Sequence, residues 1–311
     1  MSVVLSTYNR PGRLARLLWA LRAQTLPHER FEVVVIDNGS GPETARVLAD
    51  HRDRGELRLV TARLPVTLGP AAGRNAGWRL AGAPLIAFTD DDCAPAPGWL
   101  EAVLWSAERH PGAVIQGPTR PDPAELGRDG LLSHTVRIER LGPQYETCNI
   151  VYPRSLLESL GGFDERFGLR PAGEDTDLAW RAIEAGHETV FAADALVHHA
   201  VEAMGVWGML RLAGRWGPVT RVFAEHPQTR TILYRGLFWN VWHYLLWRSL
   251  IAAAGPASLR RLLLARHLRS LSERAREQGS GPAAVPFLLV YDAVECCAVA
   301  RGALRHRTWV L

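Results

Sequence analysis

The sequence has no lysine, although 36 of its 311 residues are basic, so every side chain with a permanent positive charge is an arginine. It also has no segment of the form G-x-x-x-x-G-K-[ST], which excludes the phosphate loop of P-loop nucleoside triphosphatases. The glycine-rich segment 69–77 lacks the G-x-G-x-x-G spacing of a dinucleotide-binding fold. A nucleotide site in this chain therefore needs a different set of residues.

Cysteine is scarce, with four residues at positions 93, 148, 296 and 297. None has the spacing of zinc ligands, and the adjacent pair is poorly placed to form a disulfide bond. Because a disulfide framework is absent, we expect a reducing, cytoplasmic compartment. The chain also leads from Met1 directly into an apolar segment, without the charged region and cleavage site of a secretory signal peptide.

Positive charge is concentrated in the last third of the chain. From residue 200 onward there are 15 Arg against 6 Asp plus Glu, a net charge of +9, whereas residues 1–199 hold 21 Arg against 26 acids, a net charge of −5. This asymmetry has two interpretations, an anionic surface as a partner or an ordinary solvated helical face.

The order of apolar segments predicts the fold class. Apolar residues make up 47% of the chain and charged residues 22%, which is typical of a globular protein. Strands are predicted at residues 2–6, 31–36, 57–62 and 85–88, with helices between them. This alternation predicts an α/β fold, with a doubly wound, mostly parallel sheet flanked by helices.

Polar segments directly follow three of these predicted strands, namely Thr7-Tyr8-Asn9-Arg10, Asp37-Asn38-Gly39-Ser40 and Asp90-Asp91-Asp92. In a parallel sheet the carboxyl ends of strands lie on one side, so we expect the three loops to converge. Three consecutive carboxylates repel one another and cannot be buried unpaired. They form either a solvated acidic turn or a site for a divalent cation that also binds a substrate phosphate, and the convergence of the loops favours the cation.

The glycine-rich turn at 69–77 opens a predicted helix. Its backbone N–H groups can bind a phosphate, and Arg74 can add positive charge there. The alternative for Arg74 is an ordinary arginine at the start of a surface helix.

A second acidic cluster, Gly173-Glu174-Asp175-Thr176-Asp177, precedes an amphipathic helix. A carboxylate at a helix N-terminus is favourable and caps the helix. Capping needs only one acid, however, and this segment has three.

These segments together resemble family 2 glycosyltransferases, which have a GT-A fold. The resemblance covers residues 1–205, predicted as a catalytic domain, and says little about residues 206–311, predicted as a helical C-terminal region. The matching segments occur in the family's order: 6–10, 37–40, Arg74-Asn75, 90–92, Gly161-Gly162-Phe163-Asp164-Glu165, Glu174-Asp175 with Trp180-Arg181, and His198.

The resemblance implies a role for each matched residue. Thr7, Tyr8 and Arg10 would line the donor nucleotide site, Asp37 would hydrogen-bond the nucleobase, and Arg74, Asp90 and Asp91 would complete the donor site. Asp92, with Asp90 and His198, would hold Mn²⁺ or Mg²⁺ against the donor diphosphate. An imidazole ligand favours Mn²⁺. His199 is the alternative ligand, because a slip of one residue along a strand turns the side chain to the other face.

The implied reaction is inverting transfer of a sugar from a nucleotide-sugar to an acceptor hydroxyl. The metal neutralises charge on the departing diphosphate, and a carboxylate removes the acceptor proton. Asp175 is the predicted base and Glu174 the alternative, since adjacent carboxylates can raise one pKa towards neutrality. By the family's habit the donor is a UDP- or dTDP-sugar, with a cell-surface polysaccharide, a glycolipid or a natural product as acceptor.

The C-terminal region 206–311 carries no catalytic motif. Its aromatic segment 231–254 is long enough to span a membrane, but Arg235, Asn240, His243 and Arg248 interrupt it. Helices lying in a membrane interface, a packed helical subdomain and a homodimer surface remain as alternatives. The first alternative predicts a peripheral location at the inner face of the cell membrane.

Two other functions compete with glycosyl transfer. A sugar nucleotidyltransferase also uses a nucleotide and a metal, but its glycine-rich loop after the first strand is replaced here by Thr7-Tyr8-Asn9-Arg10. A catalytically inactive sugar-nucleotide or membrane-binding module is the other alternative, and the intact acids at 90–92 and 174–175 argue against it. Nucleic acid is not expected as a partner, because the arginines lie among apolar helices.

Overall fold

The structure, a computed structural model, describes residues 1–169 and 172–311. The strands of the described chain are β1 (Ser2–Thr7), β2 (Glu32–Asp37), β3 (Leu59–Arg63), β4 (Leu85–Thr89), β5 (Cys93–Pro95), β6 (Val114–Gln116), β7 (Thr119–Pro121), β8 (Ser133–His134), β9 (Asn149–Pro153), β10 (Thr189–Phe191), β11 (Val197–His199) and β12 (Glu202–Ala203). Its α-helices are α1 (Pro11–Arg22), α2 (Pro42–Arg54), α3 (Pro70–Leu80), α4 (Trp99–Arg109), α5 (Arg154–Leu160), α6 (Glu174–Glu184), α7 (Gly205–Ala213), α8 (Thr220–Glu225), α9 (Val241–Ala253), α10 (Ala257–Glu277) and α11 (Val285–Arg305).

The chain divides into two compact units. The first comprises residues 1–126 and 135–200, and the second comprises residues 127–134 and 201–311. The sequence predicts a single boundary at residue 205, whereas the structure places the change at 200/201 and assigns the short segment 127–134 to the second unit.

The first unit is built on a seven-stranded sheet with the order β10-β6-β9-β4-β1-β2-β3. Strands β1 to β3 run outward in sequence order, and β4 then returns to the other side of β1. The strand order therefore reverses between β1 and β4, the position at which open α/β sheets bind ligands beyond the carboxyl ends of their strands. This arrangement confirms the predicted doubly wound, mostly parallel α/β sheet.

Strand β9 runs antiparallel to both of its neighbours. Its register pairs Asn149 with Thr89, so the residues that precede β9 lie beside the acidic segment that follows β4. The periodicity of β9 predicts a strand but not its direction. The reversal brings residues 146–148 to the sheet edge where the polar loops converge.

Alternate residues of the buried strands pack on opposite faces of the sheet. One core contains Leu14, Leu17, Leu18 and Leu21 of α1 with Trp99 of α4, and the other contains Trp78 of α3, Leu156 of α5 and Leu178 of α6. Burial on both faces explains why the strands are continuously apolar rather than alternating.

A small second sheet in the same unit has the order β5-β11-β7. Strand β11 pairs antiparallel with β5, so that His199 lies opposite Cys93 and His198 opposite Ala94. The sequence analysis did not anticipate β5. This pairing brings the paired histidines back to the segment that follows the three aspartates.

Asn149 ties these parts of the first unit together. Its Oδ1 accepts a hydrogen bond from Trp99 Nε1 at 2.9 Å, and its Nδ2 donates to the carbonyl oxygens of Pro118 and Ala195, both at 2.8 Å. The side chain is fully buried. One amide thus satisfies a donor and two acceptors that have no access to water.

The second unit consists of helices packed on α11 and a two-stranded sheet of β8 and β12. The aromatic segment 231–254 is α-helical only over α9, which Asn240 caps by accepting hydrogen bonds from the N–H groups of Trp242 and His243. With the turn before it, α11 forms a helix over Pro282–Arg305 that is long and apolar enough to cross a membrane. Both of its acids are paired within the unit, however. Asp292 accepts from Arg274 at 2.7 Å, and Glu295 accepts from Asn240 at 2.9 Å. These pairs support a packing role for α11 within its unit.

We predict that Asn149→Ala lowers the free energy of unfolding by about 3 kcal/mol, because it leaves the Trp99 N–H and two carbonyl groups buried and unpaired. Urea denaturation followed by tryptophan fluorescence measures the change. Gln278→Ala, at an exposed position, is the control. Equal stability of the two variants would contradict the bridging role of Asn149.

Candidate active site

The polar loops after β1, β2 and β4 meet at one edge of the sheet. Thr7 Oγ1 donates to Asp91 Oδ2 at 2.6 Å, which joins the first loop to the aspartates. The N–H of Asn9 donates to Ser40 Oγ at 3.0 Å, which joins the first loop to the second. Tyr8 is 47% exposed and remains accessible to a ligand. The convergence expected from the strand order is therefore present.

Arg10 pairs with two of the three aspartates. Its Nη1 lies 2.6 Å from Asp92 Oδ2 and 3.4 Å from Asp91 Oδ1. Burial, and then the charge of Asp92, raises the pKa of Asp91 to about 7. Asp92 is buried as well, but the opposing effects of His199 and Arg10 hold its pKa below the ordinary value. The pKa values of these adjacent carboxylates are thus shifted in opposite directions because their partners differ.

The histidine beside Asp92 is His199. Its Nε2 lies 3.5 Å from Asp92 Oδ1, and its Nδ1 lies 2.8 Å from the carbonyl oxygen of Ala200. His198 precedes it on β11, so its side chain points to the opposite face, where burial and nearby arginine charge lower its pKa. This placement favours the alternative ligand, His199, over the predicted ligand, His198.

Asp92 and His199 fit a divalent cation. In the tautomer that donates Nδ1–H to the Ala200 carbonyl, the Nε2 lone pair faces Asp92, so both side chains can bind one cation. The Cys93 Sγ lies within 4.8 Å of the ligand atoms of both. Burial raises the pKa of the Cys93 thiol well above its ordinary value, which disfavours a thiolate ligand. A carboxylate and an imidazole form a donor set suited to Mn²⁺.

Asp37 is buried, and both of its carboxylate oxygens already accept hydrogen bonds within the first unit. Its Oδ2 accepts from Arg63 Nη1 at 2.6 Å and its Oδ1 accepts from the N–H of Ser40 at 2.8 Å. Arg63 ends β3, and the sequence analysis did not select it. Each carboxylate oxygen retains a second lone pair, so the predicted hydrogen bond from Asp37 to a nucleobase remains compatible with these contacts.

Arg74 forms a buried bridge between two carboxylates. Its Nη2 donates to Asp90 Oδ1 at 2.8 Å and its Nη1 donates to Glu174 Oε1 at 3.0 Å. The N-terminal part of α3 approaches β1 closely, since a Cβ on Gly73 would lie 2.1 Å from Ser6 Oγ. Burial opposes the charge on Arg74, but the two carboxylates outweigh it and raise the pKa of the guanidinium. The bridge links the segment after β4 to the start of α6.

The two candidate bases differ in their surroundings. Glu174 is buried, and its oxygens accept from Arg74 and from the N–H of Ala172. Asp175 is partly exposed, and its Oδ1 accepts from the N–H of Thr176 at 2.9 Å. Burial, followed by the charges of Glu174 and Glu146, raises the pKa of Asp175 well above its ordinary value. Asp175 is therefore the better candidate base, because it is partly exposed with a raised pKa, whereas the oxygens of Glu174 are already occupied.

Glu146 is a further acid of this site that the sequence analysis missed. It lies in the segment before β9, and its charge acts on Asp175. Burial raises its own pKa as well. Recognising Glu146 from sequence would have required the direction of β9, which local periodicity does not contain.

Comparison with models of protein families assigns the chain to a family. Residues 2–161 match the sequence model described as glycosyl transferase family 2, and residues 135–294 match the model described as glycosyl transferase family group 2. The chain therefore belongs to glycosyl transferase family 2.

Two curated glycosyltransferases are among the relatives of this chain. The chain is 31% identical over 215 residues to validoxylamine A glucosyltransferase of Streptomyces hygroscopicus subsp. limoneus, covering 58% of this chain and 47% of that protein. It is 30% identical over 240 residues to pre-mycofactocin glycosyltransferase of Mycobacterium tuberculosis, covering 73% of this chain and 48% of that protein. The chain thus spans about half the length of these relatives.

Solved structures share the fold. The mannosyltransferase PcManGT of Pyrobaculum calidifontis, in complex with GDP-Man and Mn²⁺, matches with a TM-score of 0.67 and 20% identity over 95% of this chain and 86% of that one. TarS 1–349 of Staphylococcus aureus, in complex with UDP-GlcNAc, matches with a TM-score of 0.56 and 18% identity over 99% of this chain and 92% of that one. The fold is therefore of the GT-A type.

We predict that Arg74→Gln lowers the free energy of unfolding by about 3 kcal/mol, because Glu174 is then buried without a cation. Thermal and urea denaturation measure the loss. Arg79→Gln is the matched control on the same helix, since its side chain is 53% exposed, and should cost less than about 1 kcal/mol.

The double variant Arg74→Gln/Glu174→Gln removes the uncompensated charge and should recover part of the loss. If Arg74→Gln proved no less stable than Arg79→Gln, the structural importance of the bridge would be refuted.

Proposed function

We propose that this chain catalyses inverting transfer of a sugar from a nucleoside-diphosphate sugar to an acceptor hydroxyl. The observation that carries this proposal is the buried Arg74 bridge. One guanidinium binds Asp90 of the acidic segment and Glu174 at the start of α6. Glu174 adjoins Asp175, so the donor-site acids and the candidate base lie on two sides of the same cation. An inverting transfer needs these two functions near each other.

The donor occupies the edge formed by the loops after β1, β2 and β4. Thr7, Tyr8, Arg10 and Asp37 line the nucleotide, and Arg10 provides a positive charge for the diphosphate. Family membership supports a nucleotide-sugar donor, and we propose UDP or dTDP as its nucleotide. The structural relatives are complexes with GDP-Man and UDP-GlcNAc, so guanosine nucleotides belong in the test.

Asp92 and His199 would hold the cation, with Mn²⁺ preferred over Mg²⁺. When bound, the ion supplies Lewis-acid stabilisation of the departing diphosphate. The Arg10 guanidinium, already 2.6 Å from Asp92, adds further positive charge at that end of the donor. Asp90 remains oriented by Arg74, so it contributes charge to the same edge.

Asp175 acts as the base. Its carboxylate accepts the hydroxyl proton as the acceptor oxygen forms a bond to the anomeric carbon, while the bond from that carbon to the diphosphate breaks on the opposite face. The electron pair leaves with the nucleoside diphosphate, so no covalent sugar–enzyme intermediate forms. Glu174 is left to hold Arg74 in place.

The acceptor is a natural product, a cell-surface polysaccharide or a glycolipid. Validoxylamine A glucosyltransferase and the pre-mycofactocin enzyme support the first class, and the poly(ribitol-phosphate) enzyme TarS of Staphylococcus aureus, 33% identical over 92 residues, supports the second.

The released product distinguishes the two competing functions. A nucleotidyltransferase would release pyrophosphate instead of a nucleoside diphosphate, and an inactive binding module would release neither product.

We predict that UDP or dTDP raises the melting temperature in the presence of Mn²⁺ and not in its absence. At a hundredfold excess over its Kd, a ligand of the folded state adds about 2.7 kcal/mol to the free energy of unfolding. Differential scanning fluorimetry with UDP, dTDP and GDP, each with and without Mn²⁺, provides the measurement.

Asp92→Ala and His199→Ala should abolish this shift, whereas Asp50→Ala, an exposed aspartate of α2, should retain it. His198→Ala should also retain it, which separates the two histidines. Loss of the shift in His198→Ala but not in His199→Ala would reverse the ligand assignment.

We further predict that Asp175→Asn lowers kcat at least about 100-fold while nucleotide binding persists, because the general base is lost. Asp175 must be ionised to act as the base, so the rate should increase as the pH rises through its pKa. Because that pKa is raised, the increase should occur at a higher pH than for an ordinary carboxyl group. Glu146→Gln removes a like charge, so it should lower the pKa of Asp175 and shift this rise to lower pH. Glu174, Arg74 and the N–H of Thr176 also act on Asp175 and are unchanged in that variant.

A pH–rate profile of nucleoside diphosphate release measures these effects, with Asp194→Asn as the matched exposed control. Full activity of a folded Asp175→Asn protein would eliminate Asp175 as the base.

A further inference from the structure

A long segment of the second unit contains no acidic residue. Residues 226–272 carry seven arginines and neither Asp nor Glu, while the rest of the chain holds all 32 acidic side chains. The segment includes α9 and the greater part of α10. A segment of this length with arginines and no acids favours an anionic partner over a neutral one.

Helices α9 and α10 form a hairpin that is anchored at one end only. Leu245 and Ala252 of α9 and Leu271 of α10 are buried, and Ser249 Oγ lies 3.0 Å from His267 Nδ1. We call residues 250–269 the hairpin tip. Over the first ten residues of α10 nearly every side chain is exposed, so the helix leaves the packed part of its unit there.

The hairpin tip combines exposed leucines with exposed arginines. Ile251 is 72% exposed, and the other large apolar side chains exposed in the tip are Leu250, Leu259, Leu262, Leu264 and Leu268. Arg260, Arg261 and Arg266 are also exposed and form no ion pair with any residue that the structure describes. Single exposed apolar residues are normal, but six in one hairpin tip constitute a surface that favours an apolar partner.

We infer that the hairpin tip docks peripherally on an anionic lipid leaflet. Its leucines and Ile251 would enter the boundary between headgroups and acyl chains, while its arginines contact the lipid phosphates. Arginine matches phosphate well because its guanidinium donates two parallel hydrogen bonds. This inference concerns residues of the second unit and does not depend on the proposed donor site.

The charge pattern distinguishes this partner from two others. A second copy of the chain, docked through the same tip, would bring two acid-free arginine clusters together, which is electrostatically unfavourable. Insertion across the bilayer is also disfavoured, since α9 has only 13 residues and α10 places four arginines between residues 260 and 269. A surface contact accommodates both the leucines and the charges.

Vesicle flotation of the full chain tests this inference. The probes are vesicles of phosphatidylcholine alone and vesicles of three parts phosphatidylcholine to one part phosphatidylglycerol. We expect the protein to float with the anionic vesicles and much less with the neutral ones, and we expect added salt to weaken the binding.

Two double variants test the two components of the surface. Arg260→Gln/Arg261→Gln should lower partitioning onto anionic vesicles about 30-fold, at roughly 1 kcal/mol for each arginine. Leu262→Ser/Leu264→Ser should lower it by about tenfold or more, through lost apolar burial. The matched controls are Arg46→Gln/Arg301→Gln and Leu80→Ser/Leu126→Ser, which change exposed residues outside the tip. Circular dichroism and thermal melting verify that every variant is folded.

Three results would overturn the inference. The first is absence of flotation with anionic vesicles, and the second is an equal loss of binding in the control pairs. The third is a dimer, detected by light scattering, that Leu262→Ser/Leu264→Ser converts to a monomer, because a second copy would then cover the tip. The Mn²⁺-dependent nucleotide shift should be unchanged in all tip variants, so failure here is distinguishable from failure of the donor site.

Discussion

The arrangement of the site depends on the buried guanidinium of Arg74, which lies among carboxylates. Asp90 is far in sequence from the adjacent acids Glu174 and Asp175, and repulsion between like charges would keep the two segments apart in a low-dielectric environment. Arg74 offsets this repulsion by donating to Asp90 and Glu174 at once. The close approach of α3 to β1 at Gly73 holds the arginine at that position. The distances between the acidic segment and the start of α6 follow from this contact.

A second constraint is the topology of the sheet. The strand order reverses between β1 and β4, and β9 enters beside β4 in the opposite direction. The first feature opens a crevice for a ligand, and the second adds Glu146 to the acids that act on Asp175. The small sheet completes the edge, because β11 pairs with β5 and turns His199 towards Asp92. Three sheet features thus supply different parts of one site.

The second unit separates its charges in a different way. The acids of α11 face inward, where Arg274 and Asn240 pair with them, and this stabilises the packing of its helices. The arginines of the hairpin tip are exposed, and Arg260, Arg261 and Arg266 form no ion pair with any residue that the structure describes. The apolar helix that could cross a membrane by length thus pairs both of its acids within its unit, whereas the charged hairpin carries exposed leucines at its tip. Hydropathy alone would rank these two segments the other way round.

Local sequence determined which segments are strands and helices, and it placed polar side chains at the ends of β1, β2 and β4, because side-chain periodicity and polar strand ends are short-range properties. The family and the doubly wound fold follow from that order. Tertiary structure alone decided the direction of β9, the pairing of β11 with β5, and hence His199 instead of His198 as the neighbour of Asp92. It also decided that Arg74 bridges two carboxylates. These features depend on strand register and on contacts between residues far apart in sequence, and a shift of one residue in register reverses which side chain faces the site.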